Sequence, residues 1–85
     1  MIVDLKIGQV WDDKDNEVRN IITNLFSQTD YSGYEEPFCQ GIDSNGVTFS
    51  CMTRQFQDEV ECRGIKLLST YDTWQEAINS KEFRI

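Results

Sequence analysis

The chain has 85 residues, which is room for one domain with a single modest hydrophobic core. Fifteen acidic and eight basic residues give a formal charge of −7, and such a surface argues against direct binding of nucleic acid or of an anionic membrane. The chain has no His and its three cysteines lack paired spacing, so we expect neither a metal site nor a cofactor.

The distribution of apolar residues predicts a cytoplasmic protein. Apolar runs are pairs and triplets with polar flanks, well short of the roughly 18 residues that span a bilayer. The first six residues, Met-Ile-Val-Asp-Leu-Lys, include an acid where a signal peptide requires apolar residues. The odd number of cysteines predicts free thiols in a reducing compartment.

The first predicted element is a strand over 2–11. Val3, Leu5 and Ile7 alternate with Asp4 and Lys6, so one face of this strand is apolar. Gly8 marks a bulge that changes the direction of the side chains that follow it.

The second segment, 17–26, supports two interpretations. Its apolar residues have helical spacing, with the acids of the preceding stretch at the expected N-terminus: Val18, Ile21, Ile22, Leu25 and Phe26. Its many β-branched residues, together with Asn20 and Asn24, favour extended structure instead. We adopt the strand and keep the helix as the alternative.

A β-hairpin is predicted around Asn45-Gly46, with strands over 37–43 and 47–56. A type I′ turn on these two residues places Ile42 opposite Phe49 and Gln40 opposite Cys51. Cys39 and Cys51 then lie on opposite faces, which disfavours a disulfide, although a three-residue loop would remove this argument.

The last two elements are a strand over 63–69 and a helix over 73–82. Leu67-Leu68 makes the strand apolar on both faces, which is typical of a central strand. Thr73 and Glu76 form a capping box, and Trp74 and Ile78 should pack on the sheet. The predicted fold is α+β and mostly β: one domain over 1–85, a five-stranded antiparallel meander or small SH3-like barrel, with a C-terminal helix that caps one end.

The stretch "GQVWDDKDNEVRNI" resembles the opening hairpin of short acidic phage and prophage proteins. In these a G-Q-x-[WY] strand turns through a D-x-[DN] loop into a second strand that carries R-x-I. Here Asn16-Glu17 stands where those proteins usually have Gly. The resemblance covers about 16 residues and implies a small phage-encoded β protein in a host cytoplasm.

Two kinds of chemistry are not supported by the residues. Asp13, Asp15 and Glu17 alternate as in a calcium-binding EF-hand loop, but Val18 and Asn24 occupy the positions that require Gly and Glu. Acid–base catalysis usually needs carboxylates with separated pKa values in a cleft, often beside His, and here the acids form exposed clusters. We therefore expect a protein that is not an enzyme.

Acidic clusters in two loops are the predicted partner-binding site. The loops of a meander alternate between the two ends of the sheet, so the second and fourth loops should share one end. They would join carboxylates with exposed tyrosines: Asp30, Tyr31, Tyr34, Glu35, Glu36, Asp58, Glu59 and Glu61. Tyrosines beside acids are typical of a protein-binding surface.

The sequence thus predicts a non-enzymatic acidic protein-binding module whose partner has a basic surface. A phage-encoded inhibitor of a host nucleic-acid-handling or defence protein, of anti-CRISPR or DNA-mimic type, is one form of it. The alternative is a structural or accessory small barrel within a larger assembly, which would expose an apolar face instead.

Overall fold

The computed structural model describes residues 4–84, which form an antiparallel sheet and two short helices. In chain order the elements are β1 (Gln9–Asp13), β2 (Val18–Thr29), β3 (Glu35–Asp43), β4 (Thr48–Met52), α1 (Thr53–Arg63), β5 (Lys66–Thr70) and α2 (Trp74–Ile78). The sheet has the strand order β4-β3-β2-β1-β5. The mostly-β α+β fold with five antiparallel strands is confirmed, but the sheet does not close into a barrel and that part of the prediction is wrong.

Strand β2 shows why its apolar residues resembled a helical stripe. Ile21 and Ile22 are adjacent and both fully buried, because they point to opposite faces of the sheet and each face is covered. A strand with two buried faces carries a nearly continuous apolar run and loses the alternation of an amphipathic strand. The strand interpretation of this segment is therefore confirmed.

Helix α1 was not predicted and it changes the topology. The predicted fourth strand, 47–56, ends at Met52, and the chain continues directly into α1. Phe56 and Val60 lie four residues apart and pack on the sheet. Gly64, with a left-handed φ of 66°, ends the helix by donating to the carbonyl of Val60. Because α1 crosses one face, it carries the chain from the β4 edge to the β5 edge.

Strand β5 lies at an edge of the sheet, beside β1, and not at its centre as predicted. Leu67 and Leu68 are 43% and 39% exposed, so the paired leucines do not mark a strand buried on both faces. The pairing register shifts here: Trp11 pairs with Leu67 and Val10 with Ser69, leaving Leu68 as the extra residue of a bulge.

The core has two layers, one on each face of the sheet. Under α1 the buried cluster is Trp11, Ile22, Cys39, Phe56 and Ile65. On the opposite face, Ala77 of α2 and Phe83 of the following turn cover Val10 and Ile21. The rings of Trp11 and Phe56 meet edge to face with centroids 5.8 Å apart, which fixes α1 on the sheet.

Helix α2 begins as predicted but is shorter. The Thr73 hydroxyl oxygen accepts from the backbone N–H of Glu76 at 3.2 Å, and the helix ends at Ile78 instead of residue 82. Trp74 and Ile78 pack against the sheet as predicted. The helix lies on a sheet face and does not cap one end, because there is no barrel end to cap.

Gly8 permits a close approach between the segment before β1 and the segment after β5. Its φ is +96°, and a Cβ here would lie 2.2 Å from the carbonyl oxygen of Tyr71. Its carbonyl accepts from the Tyr71 N–H at 2.9 Å. Strand β1 starts only after this residue, and the first part of the predicted strand, residues 2 and 3, lies outside the described residues.

The β3–β4 hairpin turns where predicted, but its register differs by one residue. Asp43 Oδ1 accepts from the N–H groups of Asn45 and Val47, and Asp43 pairs with Val47, which makes a three-residue loop. Cys39 therefore pairs with Cys51, with 3.7 Å between the two Sγ atoms, and the prediction of opposite faces is wrong. Both thiols are free.

Candidate functional site

Strands β2 and β3 extend well beyond their neighbours and form a projecting arm. They have twelve and nine residues, while β1 and β4 have five each. The molecule consequently measures 43 × 26 × 22 Å. We call residues 23–38 the hairpin arm.

The turn at the end of the hairpin arm is ordered by Asp30. Its Oδ1 accepts from the Ser32 hydroxyl at 2.6 Å, from the Ser32 N–H at 2.9 Å and from the Tyr34 N–H at 3.0 Å. These bonds, with that of the Ser32 hydroxyl first, hold the pKa of Asp30 below its ordinary value. Asp30 therefore stays ionised and fixes the turn at neutral pH.

Beside this turn, aromatic and acidic side chains are presented together. Tyr31 is fully exposed and Tyr34 is 65% exposed. Glu35 and Glu36 follow at the start of β3, where they pair with Thr29 and Gln28. We call Asp30, Tyr31, Tyr34, Glu35 and Glu36 the acid–Tyr surface; the structure brings these five predicted residues together.

A hollow of about 360 Å³ adjoins the acid–Tyr surface on one face of the sheet. Phe38 and Met52 provide its apolar part, and the ring of Phe26 stacks on Phe38 with centroids 5.7 Å apart. The full lining is Gln28, Thr29, Asp30, Tyr34, Glu36, Phe38, Met52 and Arg54. Helix α2 covers this face only around Val10, Ile21 and Ile42, so the hollow remains open.

Arg54 is the basic residue at the rim of the hollow. Its Nε lies 2.9 Å from Glu36 Oε1, and its side chain is 71% exposed. Because the Arg54 side chain lies largely in water, screening limits the stabilisation from this pair to under about 1 kcal/mol. Its effect at the site is to orient Glu36 and to leave Glu35 as the outer carboxylate.

The remaining predicted residues, Asp58, Glu59 and Glu61, lie in α1 and not in a loop as expected. Arg63 bridges Glu59 at 3.8 Å and Asp15 at 3.7 Å, so Glu59 lies near the β1–β2 turn at the other end of the sheet. The predicted convergence of the two acidic loops is wrong for this residue, because the connection between β4 and β5 is a crossing helix.

A second cleft, of about 380 Å³, lies between α1 and the sheet. Three of its four charged residues are paired with each other: Arg63 pairs with Glu59 and donates to the buried carboxylate of Asp13, which also accepts from Asn16. Burial raises the pKa of Asp13, but the Arg63 and Asn16 bonds outweigh it and hold the pKa below its ordinary value. These contacts tie α1 to the β1–β2 turn and give the cleft a structural role.

No metal site is formed by the residues in the 4–84 range: they contain no group of three or more Cys, Asp or Glu side chains arranged to hold an ion. The same residues include no helix long and apolar enough to cross a membrane.

Sequence reasoning missed the apolar part of the site. Phe38 pairs with Met52 on the face that α2 leaves open, and the predicted register of the β3–β4 hairpin did not place these two side chains together. A signal was present in β2: once the strand is accepted, Asn24, Phe26 and Gln28 share one face, which is too polar for a core.

Comparison with family models, with curated proteins and with solved structures found no match to this chain.

Proposed function

We propose that this chain is a non-enzymatic acidic module that binds a protein with a basic surface through the acid–Tyr surface and the adjoining hollow. The observation that carries the proposal is the placement of Asp30, Tyr34 and Glu36 in the lining of an open hollow that also contains Phe38 and Met52.

The composition of this surface supports protein binding. Tyrosine offers a large apolar ring with a polar hydroxyl at little cost in conformational entropy, and it is enriched at binding hot spots. The side chains of Phe38 and Met52 provide apolar area that a partner would remove from water. An apolar centre with a charged rim is the usual arrangement of a transient interface.

Charge supports a basic partner. The hairpin arm contains Asp30, Glu35 and Glu36 and no basic residue, within a chain of net charge −7. The negative electrostatic potential of these residues speeds association with a basic surface and repels an acidic one. Proteins that handle nucleic acid present basic grooves, and carboxylates that take the place of phosphates there would inhibit them. A phage-encoded inhibitor of a host defence or nucleic-acid-handling protein, of anti-CRISPR or DNA-mimic type, is the form we favour.

The test is affinity capture by the immobilised chain from bacterial lysate at low and high salt, followed by rate measurements on the captured protein. We expect the double variant Glu35→Lys/Glu36→Lys to slow association by about tenfold and to flatten its salt dependence. Tyr31→Ala/Tyr34→Ala should instead speed dissociation, because it removes buried contact area and leaves the charge unchanged.

The matched control reverses two acids in the β1–β2 turn, Asp15→Lys/Glu17→Lys, and changes the net charge by the same amount. Both side chains are exposed, whereas the Glu36 side chain is 16% exposed and pairs with Arg54, so circular dichroism checks that both variants keep the fold. Equal weakening by both charge reversals would mean that only net charge matters, and the acid–Tyr surface would then not be the binding site.

A further inference from the structure

One edge of the hairpin arm has no strand partner within residues 4–84. Strand β1 pairs with β2 only as far as Ile21, and the last backbone bond on this side runs from the Gly8 N–H to the Ile22 carbonyl. Residues 24–29 of β2 continue beyond that point with β3 on their other side only. Leu25, Ser27 and Thr29 are all exposed.

The hydrogen bonds of the turn show which backbone groups point outward. The Asp30 N–H donates to the Tyr34 carbonyl, so Asp30 and every second residue before it face β3. The intervening residues, Leu25, Ser27 and Thr29, then direct their N–H and C=O groups to the open edge. Pro37 agrees with this register: it pairs with Ser27, a position where β3 needs no N–H toward β2.

Three other exposed edges of the sheet carry features that limit strand pairing. The outer edge of β4 has only five residues before the chain turns into α1. The outer edge of β3 in the arm has Glu35, Glu36 and Pro37. The β5 edge has Lys66 and the bulge at Leu68. Residues 23–29, "TNLFSQT", contain no charge and no proline. Among these four edges, the outer edge of β2 is therefore the longest that carries no such feature, and it is open to an added strand.

We propose that the outer edge of β2, residues 24–29, binds an extended basic segment of the partner protein by strand addition. The inference rests on the proposed function, because it takes the partner to be basic. Backbone hydrogen bonds to Leu25, Ser27 and Thr29 would provide the pairing.

Charge favours binding of an extended basic segment at this edge over binding of a second copy of the chain. An added strand would lie about 5 Å from β2 and about 10 Å from β3, which places it about one Debye length from Glu35 and Glu36. Basic side chains on that strand are attracted by Asp30 and Glu35, because Arg54 largely balances the charge of Glu36. A second copy would instead bring a net charge of −7 against −7.

The probe is a fluorescein-labelled peptide of seven alternating lysine and valine residues with blocked termini. Its comparison is the same sequence with every backbone nitrogen methylated, which keeps the charge but removes the N–H donors. We expect the unmethylated peptide to bind at least tenfold more tightly in fluorescence anisotropy. It should also protect the amides of Leu25, Ser27 and Thr29 from hydrogen exchange.

Two variants at one position separate the backbone from the side chain. Ser27→Pro removes one outward N–H and should weaken peptide binding at least tenfold, while Ser27→Ala retains it and should bind as the native chain does. Circular dichroism checks the fold of both. If Ser27→Pro does not fold, Ser27→Lys retains the N–H and places a repelling charge at the edge, and it should weaken binding as well.

Equal binding of the two peptides, or native affinity in folded Ser27→Pro, would overturn strand addition. If the two peptides bound equally and both lost affinity in Glu35→Lys/Glu36→Lys, strand addition would be wrong and the proposal of a basic partner would stand. Dimerisation of the chain through this edge at neutral pH without peptide would overturn the choice of occupant.

Discussion

Asp13 and Arg63 form the contact that secures α1 to the β1–β2 turn, and it should make stability depend on pH. Because the folded-state pKa of Asp13 lies below its ordinary value of 3.8, the contact stabilises the fold fully above about pH 4. This contribution is lost as the pH falls through the folded-state pKa, where the carboxylate takes up a proton. We expect Asp13→Asn to lower the free energy of unfolding by about 2 kcal/mol at neutral pH, and the difference from the native chain to shrink in acid.

Urea denaturation followed by tryptophan fluorescence between about pH 7 and pH 3 measures this difference. Asp15→Asn is the control, because Asp15 is 66% exposed and its 3.7 Å contact with Arg63 is screened by water. A constant difference between Asp13→Asn and the native chain at every pH would show that packing, and not the charge on Asp13, is responsible.

The position of the β3–β4 hairpin could be predicted from the sequence, but its register could not. Asn45-Gly46 located the β3–β4 turn, because few residues adopt the positive φ that Gly46 has. The register was missed because Asp43 caps the turn with its own side chain and lengthens the loop by one residue. A one-residue shift reverses the faces of β4 relative to β3, which is why Cys39 and Cys51 were predicted on opposite faces although they pair.

Helix α1 was missed for a different reason. Only Phe56 of its eleven residues is buried, and its N-cap Met52 offers no side-chain hydrogen bond. A helical pattern can be recognised in a sequence only when several apolar residues recur at helical spacing. This helix has too few of them and is held mainly by its tertiary contacts. The usable signal was Arg63-Gly64, a basic last turn followed by a left-handed glycine.

Strand β2 should show alternating hydrogen exchange in the free protein. Asn24, Phe26 and Gln28 donate toward β3, while the N–H groups of Leu25, Ser27 and Thr29 face water. We expect the first set to be protected by at least about tenfold relative to the second, with Ile21 and Ile22 the slowest of all. Hydrogen exchange followed by NMR measures the protection of each amide. Uniform protection along 24–29 would mean that the edge is already covered.

At the scale of the whole molecule, composition predicted the acidic charge and the exposed tyrosines, but topology decided which of them meet. A meander places its second and fourth loops together, whereas the crossing of α1 replaces the fourth loop with a helix. The candidate site therefore consists of the hairpin arm with Met52 and Arg54, and a binding role for Asp58, Glu59 and Glu61 stays a prediction. The long-range pairing of β1 with β5 has no local signature, because it depends on contacts about 60 residues apart.

The net charge of the molecule should control whether copies associate through the open edge of β2. At about pH 7 each copy carries −7, and we expect this repulsion to keep the chain monomeric. Near the isoelectric point of about 4.3 this repulsion vanishes, while the low pKa of Asp13 keeps its contact with Arg63 intact. Sedimentation velocity should then detect association of the native chain and of Ser27→Ala near pH 4.3, with Ser27→Pro remaining largely monomeric. Equal association of all three would indicate nonspecific isoelectric aggregation and no role for the edge.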